Sequence, residues 1–257
     1  MQRIALVTGA SSGVGKEFVR QLDLQRGGPL DAIWAIARSK DSLQEVARSC
    51  TNIPVLPIPL DLTRDESFSR IQEMLETQNV VVEWLVNSAG FGKFGDFVTV
   101  GDNQNASMVQ LNCLALVRMC SIVLPHMHSG SRVINMASIA GAIPQVMLAT
   151  YSATKAFVLE LSRMLDHELA PCGIRVTAVC PKFMKTKFLD EPGDSQSADG
   201  MCRIGFEDVS HVVSKAIDYA IMGKATCIPS LHMKLLYAAS RCMPRSVLFK
   251  LEDILFR

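Results

Sequence analysis

Short apolar runs rich in β-branched residues alternate along this chain with longer stretches in which apolar positions recur every three or four residues. Continuous apolar runs of about four to eight residues are typical of parallel strands, which are covered on both faces. The runs predict strands over Ile4–Thr8, Ala32–Ala37, Val55–Leu60, Trp84–Asn87, Arg132–Ala137, Arg175–Cys180 and Ala225–Ile228. The longer stretches predict helices over Val14–Gln25, Asp41–Ser49, Asp65–Glu76, Asn103–His126, Thr150–Ala170 and Phe206–Met222. This alternation predicts an α/β fold, a doubly wound parallel sheet of the Rossmann type with helices on both faces.

A glycine-rich loop joins the first predicted strand to the first predicted helix. Gly9 would let the chain turn off the strand, Gly13 would let the backbone approach a pyrophosphate, and Gly15 would let the helix pack closely. The free N–H groups at the start of that helix would then face the phosphates. Since the loop lies between a strand and a helix, it predicts dinucleotide binding rather than a simple turn.

The second predicted strand is followed by Arg38 and has no acidic residue beside it. NAD sites usually carry an acid here for the ribose 2′-hydroxyl, whereas NADP sites carry an arginine for the 2′-phosphate. Arg38 therefore predicts NADP(H) as the preferred cofactor, with NAD(H) possible. The alternative is a solvated arginine at a helix start.

Tyr151 and Lys155 are four residues apart in a predicted helix and so share one face. A nearby ammonium would stabilise the tyrosine phenolate and lower its pKa, which would make Tyr151 a workable general acid and base. Ser138 and Asn87 end neighbouring strands at the carboxyl edge of the sheet, where ligands bind in such folds.

These residues together resemble the short-chain dehydrogenase/reductase family over about residues 1 to 230. The motifs are TGASSGVG at 8–15, Asp61-Leu62, NSAG at 87–90, Asn112, Ser138, YSATK at 151–155 and the segment from Pro181 to Thr186. The resemblance implies an oxidoreductase with the catalytic residues Asn112, Ser138, Tyr151 and Lys155. It implies a cofactor site formed by Gly9, Ser11, Ser12, Gly13, Val14, Gly15, Arg38, Asp61, Leu62, Asn87, Ala89, Gly90, Tyr151, Lys155, Pro181 and Thr186.

The resemblance also assigns roles. Ser138 would hydrogen-bond the substrate oxygen, Tyr151 would transfer the proton, and Lys155 would hold the nicotinamide ribose. Asn112 would anchor a water that links Lys155 to solvent. Asp61 and Leu62 would lie beside the adenine, Asn87 near the cofactor, and Thr186 at the nicotinamide carboxamide.

Two positions depart from the usual family pattern. Ser88 stands within the NSAG motif, which is a small change. Lys182 follows Pro181 where a glycine is usual, so a side chain stands where backbone normally passes close to the nicotinamide. Lys182 would either point to solvent or narrow the substrate site.

Composition and charge exclude several other classes of protein. The 257-residue chain has a formal net charge of +1, without the basic surface expected of a nucleic-acid binder. No cysteine or histidine spacing predicts a metal site, and the scattered cysteines are expected to be reduced, buried thiols. No apolar run approaches the roughly 20 residues of a membrane span, and the N-terminus lacks a signal-peptide pattern. We therefore expect one cytoplasmic domain that does not bind membranes.

Two other functions remain open at this point. The chain could be a non-catalytic NADP-binding regulator, because fold does not imply function, although the four catalytic positions are intact. It could also be a nucleotide-sugar epimerase or dehydratase, although such enzymes tend to have a larger C-terminal substrate domain.

The segment between the serine and the tyrosine, Ala140–Thr150, is uncharged and should line the substrate pocket. Together with Phe183, Met184 and Phe188 it predicts an apolar substrate such as a steroid, a fatty or an aromatic carbonyl. The polar segment Leu189–Gly200 is expected to be a lid over the site.

The family resemblance implies a homodimer or homotetramer built on the Asn103–His126 and Thr150–Ala170 helices. The tail Leu231–Arg257 predicts one or two amphipathic helices. We expect it to pack on its own domain, and binding to an anionic membrane surface is the alternative.

Overall fold

The computed structural model describes residues 1–143, 145, 147–184, 205–244 and 247–248. Within these residues a parallel sheet has the strand order β3-β2-β1-β4-β5-β6-β7. The strands are β1 (Gln2–Thr8), β2 (Ala32–Ala37), β3 (Val55–Pro59), β4 (Val80–Asn87), β5 (Arg132–Met136), β6 (Arg175–Val179) and β7 (Thr226–Cys227). Buried apolar clusters cover both faces of the sheet. The predicted fold class is confirmed.

Helices connect the strands. They are α1 (Gly13–Asp23), α2 (Lys40–Ser49), α3 (Asp65–Thr77), α4 (Phe97–Val100), α5 (Asp102–Val109), α6 (Ala115–Val123), α7 (Ala149–Leu169), α8 (Val209–Ile221) and α9 (Leu231–Cys242). Most bounds agree with the predicted ones to within a few residues.

The predicted helix Asn103–His126 is in fact interrupted. Its two halves, α5 and α6, are joined by a π-helical turn over Gln110–Leu114, and a 3-10 turn over Leu124–His126 follows. Such π turns occur frequently at functional sites, and this one contains Asn112.

Strand β4 begins at Val80, four residues before the predicted start at Trp84. The charge of Glu83 hides this part of the strand in the sequence. In the structure Glu83 is buried and accepts hydrogen bonds from Arg3 Nε (2.7 Å) and His128 Nε2 (3.0 Å). A charged residue can lie inside a strand when partners elsewhere in the chain satisfy it.

The expectation that no segment reaches the length and hydropathy of a membrane span was wrong. The helical stretch Asp102–His126 is 25 residues long and contains an 18-residue window with a mean hydropathy of 1.7. In this fold it covers one face of the sheet, where Leu116, Met119 and Val123 are buried.

The first part of the tail packs on the rest of the chain. Helix α9 is joined to α8 by a hydrogen bond from Lys234 Nζ to the Tyr219 hydroxyl, and to α7 by one from Arg163 to the Tyr237 hydroxyl. Most of the tail beyond residue 244 lies outside the described residues.

The described cysteines are all free thiols, but they are not all buried. Cys120, Cys180 and Cys227 are buried, whereas Cys50 and Cys113 are partly exposed and Cys172 is exposed. The expectation of buried thiols therefore holds for only some of them.

Candidate active site

One cleft lies along the carboxyl edge of the sheet, where the chain leaves strands β1 to β6. Its volume is about 780 Å³, within the range of roughly 300–1,000 Å³ typical of ligand sites. All the predicted site residues line it except Asn87 and Asn112, which lie behind its wall, and Thr186, which is outside the described residues. Reasoning from sequence thus named residues that the fold brings together from the loops after six strands and from helix α7.

The glycine loop after β1 leaves no room for side chains at two positions. Gly9 has a φ of +67°, and a Cβ there would lie 2.9 Å from the main-chain nitrogen of Ala89. A Cβ on Gly15 would lie 2.2 Å from the carbonyl oxygen of Gly9. These glycines let the loop pack against both the start of α1 and the turn after β4.

Thr8 holds that arrangement in place, and sequence reasoning gave it no role. Its buried hydroxyl accepts hydrogen bonds from the main-chain nitrogens of Ser88 (3.0 Å) and Ala89 (3.1 Å). The only signal in the sequence was its position immediately before Gly9.

The N-terminus of α1 is suited to an anion. The helix begins at Gly13, the side chain of Ser12 does not cap it, and its first turn carries no acidic residue. The first N–H groups of a helix lack partners within the helix, and the helix dipole favours negative charge there. This end of the cleft could therefore hold the phosphates of a dinucleotide.

Arg38 and Asp61 lie on the walls at the same end of the cleft. Arg38 is exposed at the end of β2. Burial tends to raise the pKa of Asp61, but hydrogen bonds from the Thr63 main chain and hydroxyl, together with the charge of Arg38, lower it overall. The end of the cleft thus carries an exposed cation beside an ionised carboxylate.

Ser138, Tyr151 and Lys155 converge at the other end of the cleft. The side chains of Ser138 and Tyr151 are hydrogen-bonded to each other. The Lys155 ammonium is buried, donates to the carbonyl of Met136 (2.7 Å), and lies 5.7 Å from the centre of the Tyr151 ring. A hydroxyl pair next to a buried cation can bind a substrate oxygen and exchange a proton with it.

The sequence predicted a lowered pKa for Tyr151, and the net shift in this structure is in the opposite direction. Burial raises the pKa of Tyr151 to about 12, although the hydrogen bond with Ser138 opposes the rise. Burial also lowers the pKa of Lys155 to about 8. The spacing of the two residues did not reveal that both charged forms lose hydration in this cleft.

Asn112 fixes the back of the site. Its side chain accepts from the Phe91 main-chain nitrogen (3.0 Å) and donates to the Phe91 carbonyl (2.8 Å) and the Thr154 hydroxyl (3.1 Å). It therefore ties the loop after β4 to the helix that carries Tyr151 and Lys155. The water contact implied by the family resemblance stays a prediction.

Asn87 belongs to a buried polar chain behind the cleft. Its Nδ2 donates to Asn135 Oδ1 (2.9 Å), and Asn135 Nδ2 donates to the hydroxyl of Ser162 (3.0 Å). Ser162 in turn donates to the carbonyl of Val158 (2.6 Å). The chain connects β4 and β5 to the middle of α7.

Beside Ser138 and Tyr151 the cleft is lined by apolar side chains from several loops: Phe91, Leu111, Ile139, Phe183 and Met184. The rings of Phe94 and Phe183 are 6.3 Å apart. The segment Ala140–Thr150 was predicted to line the pocket. Among its described residues, only the polar Gln145 does so. Phe188 and the predicted lid Leu189–Gly200 lie outside the described residues.

Lys182 lines the cleft at the position where a glycine is usual in the resembled family, and its Nζ lies 3.6 Å from the position that a Cβ on Gly205 would take. Its main-chain nitrogen donates to Glu207 (3.0 Å), and the main-chain nitrogen of Glu207 donates to the Phe183 carbonyl (2.8 Å). Burial raises the pKa of Glu207 despite the nearby Lys182 charge. Glu207 thus fixes the position of the segment that bears Lys182. No group of three or more His, Cys, Asp or Glu residues in the described part of the chain could hold a metal ion.

Comparison with known proteins identifies the family. The model of the short chain dehydrogenase family matches residues 3–196. The chain belongs to the short-chain dehydrogenase family. A rat very-long-chain 3-oxoacyl-CoA reductase is 33% identical over 192 residues, which cover 71% of this chain and 60% of that protein. This short-chain dehydrogenase thus spans less than two thirds of that relative's length.

Two solved structures resemble this short-chain dehydrogenase closely. One is a short-chain dehydrogenase from Sphingobium yanoikuyae in complex with NADPH, with 27% identity, a TM-score of 0.79 and coverage of 94% of this chain and 93% of that one. The other is a bulky-bulky ketone specific alcohol dehydrogenase from Comamonas testosteroni, with 27% identity, a TM-score of 0.76 and the same coverage.

Proposed function

We propose that this chain is an NADP(H)-dependent oxidoreductase that interconverts an alcohol and a ketone or aldehyde on an apolar substrate. The observation that carries the proposal is a single cleft with an anion-binding helix start at one end and the Ser138–Tyr151 pair beside Lys155 at the other. The family membership supports the same reaction class.

A dinucleotide fits the groups along this cleft. The uncapped start of α1 would hold the pyrophosphate, Asp61 and Leu62 would lie beside the adenine, and Lys155 would hold the nicotinamide ribose. A bound nicotinamide supplies the hydride. The protein supplies orientation, exclusion of water and the proton.

The chain's own residues would act on the substrate oxygen. Ser138 donates a hydrogen bond to that oxygen and positions it against Tyr151. In reduction the hydroxyl proton of Tyr151 passes to the oxygen as the alcohol forms, and in oxidation Tyr151 takes the proton back. The Lys155 ammonium stabilises the phenolate that remains after the proton has left.

Tyr151→Phe tests this mechanism because it removes only the hydroxyl. We expect turnover to fall by about 10² to 10⁴, the usual contribution of general acid–base catalysis, while cofactor binding stays unchanged. The assay is loss of NADPH absorbance with a panel of ketones and aldehydes, and cofactor affinity is measured by fluorescence titration. Near-normal turnover would remove Tyr151 from the mechanism, and tight NADPH binding without turnover in the native protein would favour a regulator.

Arg38 would set the cofactor preference. Its guanidinium can bind the 2′-phosphate of NADPH, and a hydrogen bond to a charged group contributes about 1.5–3 kcal/mol, or roughly 10- to 150-fold in affinity. The solved relative from Sphingobium binds NADPH. We expect Arg38→Asp to shift the preference toward NADH in direct competition. A native protein that prefers NADH would contradict this assignment.

The substrate is proposed to be apolar because of the side chains at that end of the cleft. By their names, one relative acts on bulky-bulky ketones and another on very-long-chain 3-oxoacyl-CoA. A steroid, a fatty or an aromatic carbonyl would suit the lining. Screening the cofactor-loaded protein against such carbonyls would identify the class.

A further inference from the structure

Helix α9 turns its leucines away from the rest of the chain. Leu231 and Leu235 are 72% and 67% exposed, and Leu236 is 46% exposed. At 3.6 residues per turn, Leu231, Leu235 and Ala238 form one stripe along the helix, and all three are exposed. A helix on the surface of a globular domain usually buries its apolar stripe and exposes its polar residues. The outward face of α9 is therefore apolar where a polar face is the rule.

The polar side chains of α9 point inward instead. Lys234 donates a hydrogen bond to the Tyr219 hydroxyl in α8. The Tyr237 hydroxyl accepts one from Arg163 in α7. Met233 is buried in the same core cluster against which Tyr237 packs. These contacts fix the rotation of the helix about its axis, so the exposed stripe is a consequence of how α9 is attached.

Two ammonium groups lie together at the side of this stripe. The Nζ atoms of Lys224 and Lys234 are 4.8 Å and 5.0 Å from the centre of the same Tyr219 ring. Within the described part of the chain, no Asp or Glu forms an ion pair with either lysine. Two neighbouring cations without an acid between them repel each other and attract an anion.

The sequence of the tail carries the same combination of apolar and basic residues. Leu231–Arg257 contains five Lys and Arg against two Asp and Glu, a net charge of +3, whereas the whole chain carries only +1. The positive charge of the protein is thus concentrated in the segment that begins with the exposed stripe. Basic residues beside an apolar stripe are typical of helices that lie in the surface of an anionic membrane.

We propose that the outward face of α9 binds an anionic lipid bilayer, with Leu231 and Leu235 among the acyl chains and Lys224 and Lys234 at the lipid phosphates. A bilayer accommodates both the leucines and the cations, whereas a second copy of this chain would bring the same lysines to the contact, where they would repel. The proposal differs from the expectation that the chain does not bind membranes, because the sequence alone does not show which side of α9 faces outward. It does not depend on the proposed reaction, since none of these four residues lines the cleft.

The test is co-sedimentation of the full-length protein with vesicles of phosphatidylcholine, either alone or with about a third of the lipid replaced by phosphatidylserine. We expect binding to the anionic vesicles only, and a lower affinity as the salt concentration rises. Leu235→Glu places a charge among the acyl chains and should lower the affinity by at least about tenfold. Lys224→Gln should lower it too and make it less sensitive to salt.

The matched control is Leu56→Glu, which adds the same charge. Leu56 is 39% exposed in β3, at the edge of the sheet opposite to β7. This variant should leave the affinity within about twofold of the native value. Because Leu235 is exposed, the Tm of Leu235→Glu should match that of the native protein, so its loss of binding would not reflect unfolding.

Three results would overturn the proposal. One is a native protein that does not sediment with anionic vesicles. Another is an equal loss of binding in Leu235→Glu and Leu56→Glu, since the effect would then be one of net charge alone. The third is a lower molar mass of Leu235→Glu by light scattering without lipid, which would identify a second copy of the chain as the partner of this face.

Discussion

Lys155 gives the proposed reduction a specific dependence on pH. Burial lowers the pKa of its ammonium to about 8 and raises the pKa of the Tyr151 hydroxyl to about 12. Tyr151 therefore keeps the proton that it must donate throughout the neutral range. The nearest change in charge above neutral pH is the loss of the Lys155 proton, which removes the cation that stabilises the phenolate.

The size of the effect follows from that pKa. With a pKa of about 8, roughly nine tenths of the Lys155 side chains are charged at about pH 7 and roughly one tenth at about pH 9. We therefore expect kcat/KM for ketone reduction to be constant below neutral pH and to fall about tenfold over those two pH units. This parameter reports the groups that titrate in the free enzyme.

The assay is NADPH consumption at subsaturating substrate in overlapping buffers of constant ionic strength. Lys155→Arg is the matched variant, because a guanidinium stays protonated over the whole range. Its residual activity should not fall as the pH rises above neutral. A native kcat/KM that rises between neutral and alkaline pH in the reduction direction would refute the assignment, as would an unchanged alkaline limb in the variant.

Two other predictions concern stability and assembly. Asp166 accepts hydrogen bonds from Arg175 Nε and Nη2 (2.8 Å each). Asp166→Asn should therefore lower the free energy of unfolding, measured in urea, by about 1.5–3 kcal/mol. The control is Glu160→Gln in an exposed ion pair, which should change the free energy of unfolding by less than about 1 kcal/mol. Burial tends to raise the pKa of Asp166, but hydrogen bonds from Arg175 and the Val176 main chain lower it overall. The stability that Asp166 contributes is therefore present above the usual carboxyl pKa and is lost as the pH falls. Equal effects of the two variants on stability would contradict this prediction. Phe157 is exposed on an apolar groove between α5 and α7. If homo-oligomers form through this groove, Phe157→Glu should lower the molar mass measured by light scattering. An unchanged mass would disprove this location of the interface.

The parts of the fold that depend on local pattern could be predicted from the sequence. The buried strands appear as continuous apolar runs because both faces of the sheet are covered. The glycine loop could be located because its first and third glycines are required by contacts of 2.9 Å and 2.2 Å that a Cβ would violate. The order of the motifs then placed Ser138 and Tyr151 at the same edge.

The features that depend on distant contacts could not be predicted in this way. Glu83 broke the apolar run of β4, and its partners Arg3 and His128 are 80 and 45 residues away in sequence. The direction of the Tyr151 pKa shift depends on how deeply the folded cleft buries it. Gln145 lay in a segment that the sequence marks only as uncharged, and its place on the cleft wall follows from the folded chain.

The position of Lys155 depends on contacts well away from the catalytic turn of α7. Ser162 lies about two turns further along the helix, roughly 10 Å at 1.5 Å per residue, and accepts a hydrogen bond from Asn135 in β5. Lys155 donates to the carbonyl of Met136, the next residue of the same strand. Helix α7 is therefore held to β5 by two buried polar contacts, one to the side chain of Asn135 and one to the carbonyl of Met136. The Y-x-x-x-K motif does not reveal either partner in β5. The motif places Tyr151 and Lys155 on one face of a helix, but the attachment of that helix to β5 is what sets both side chains in the cleft.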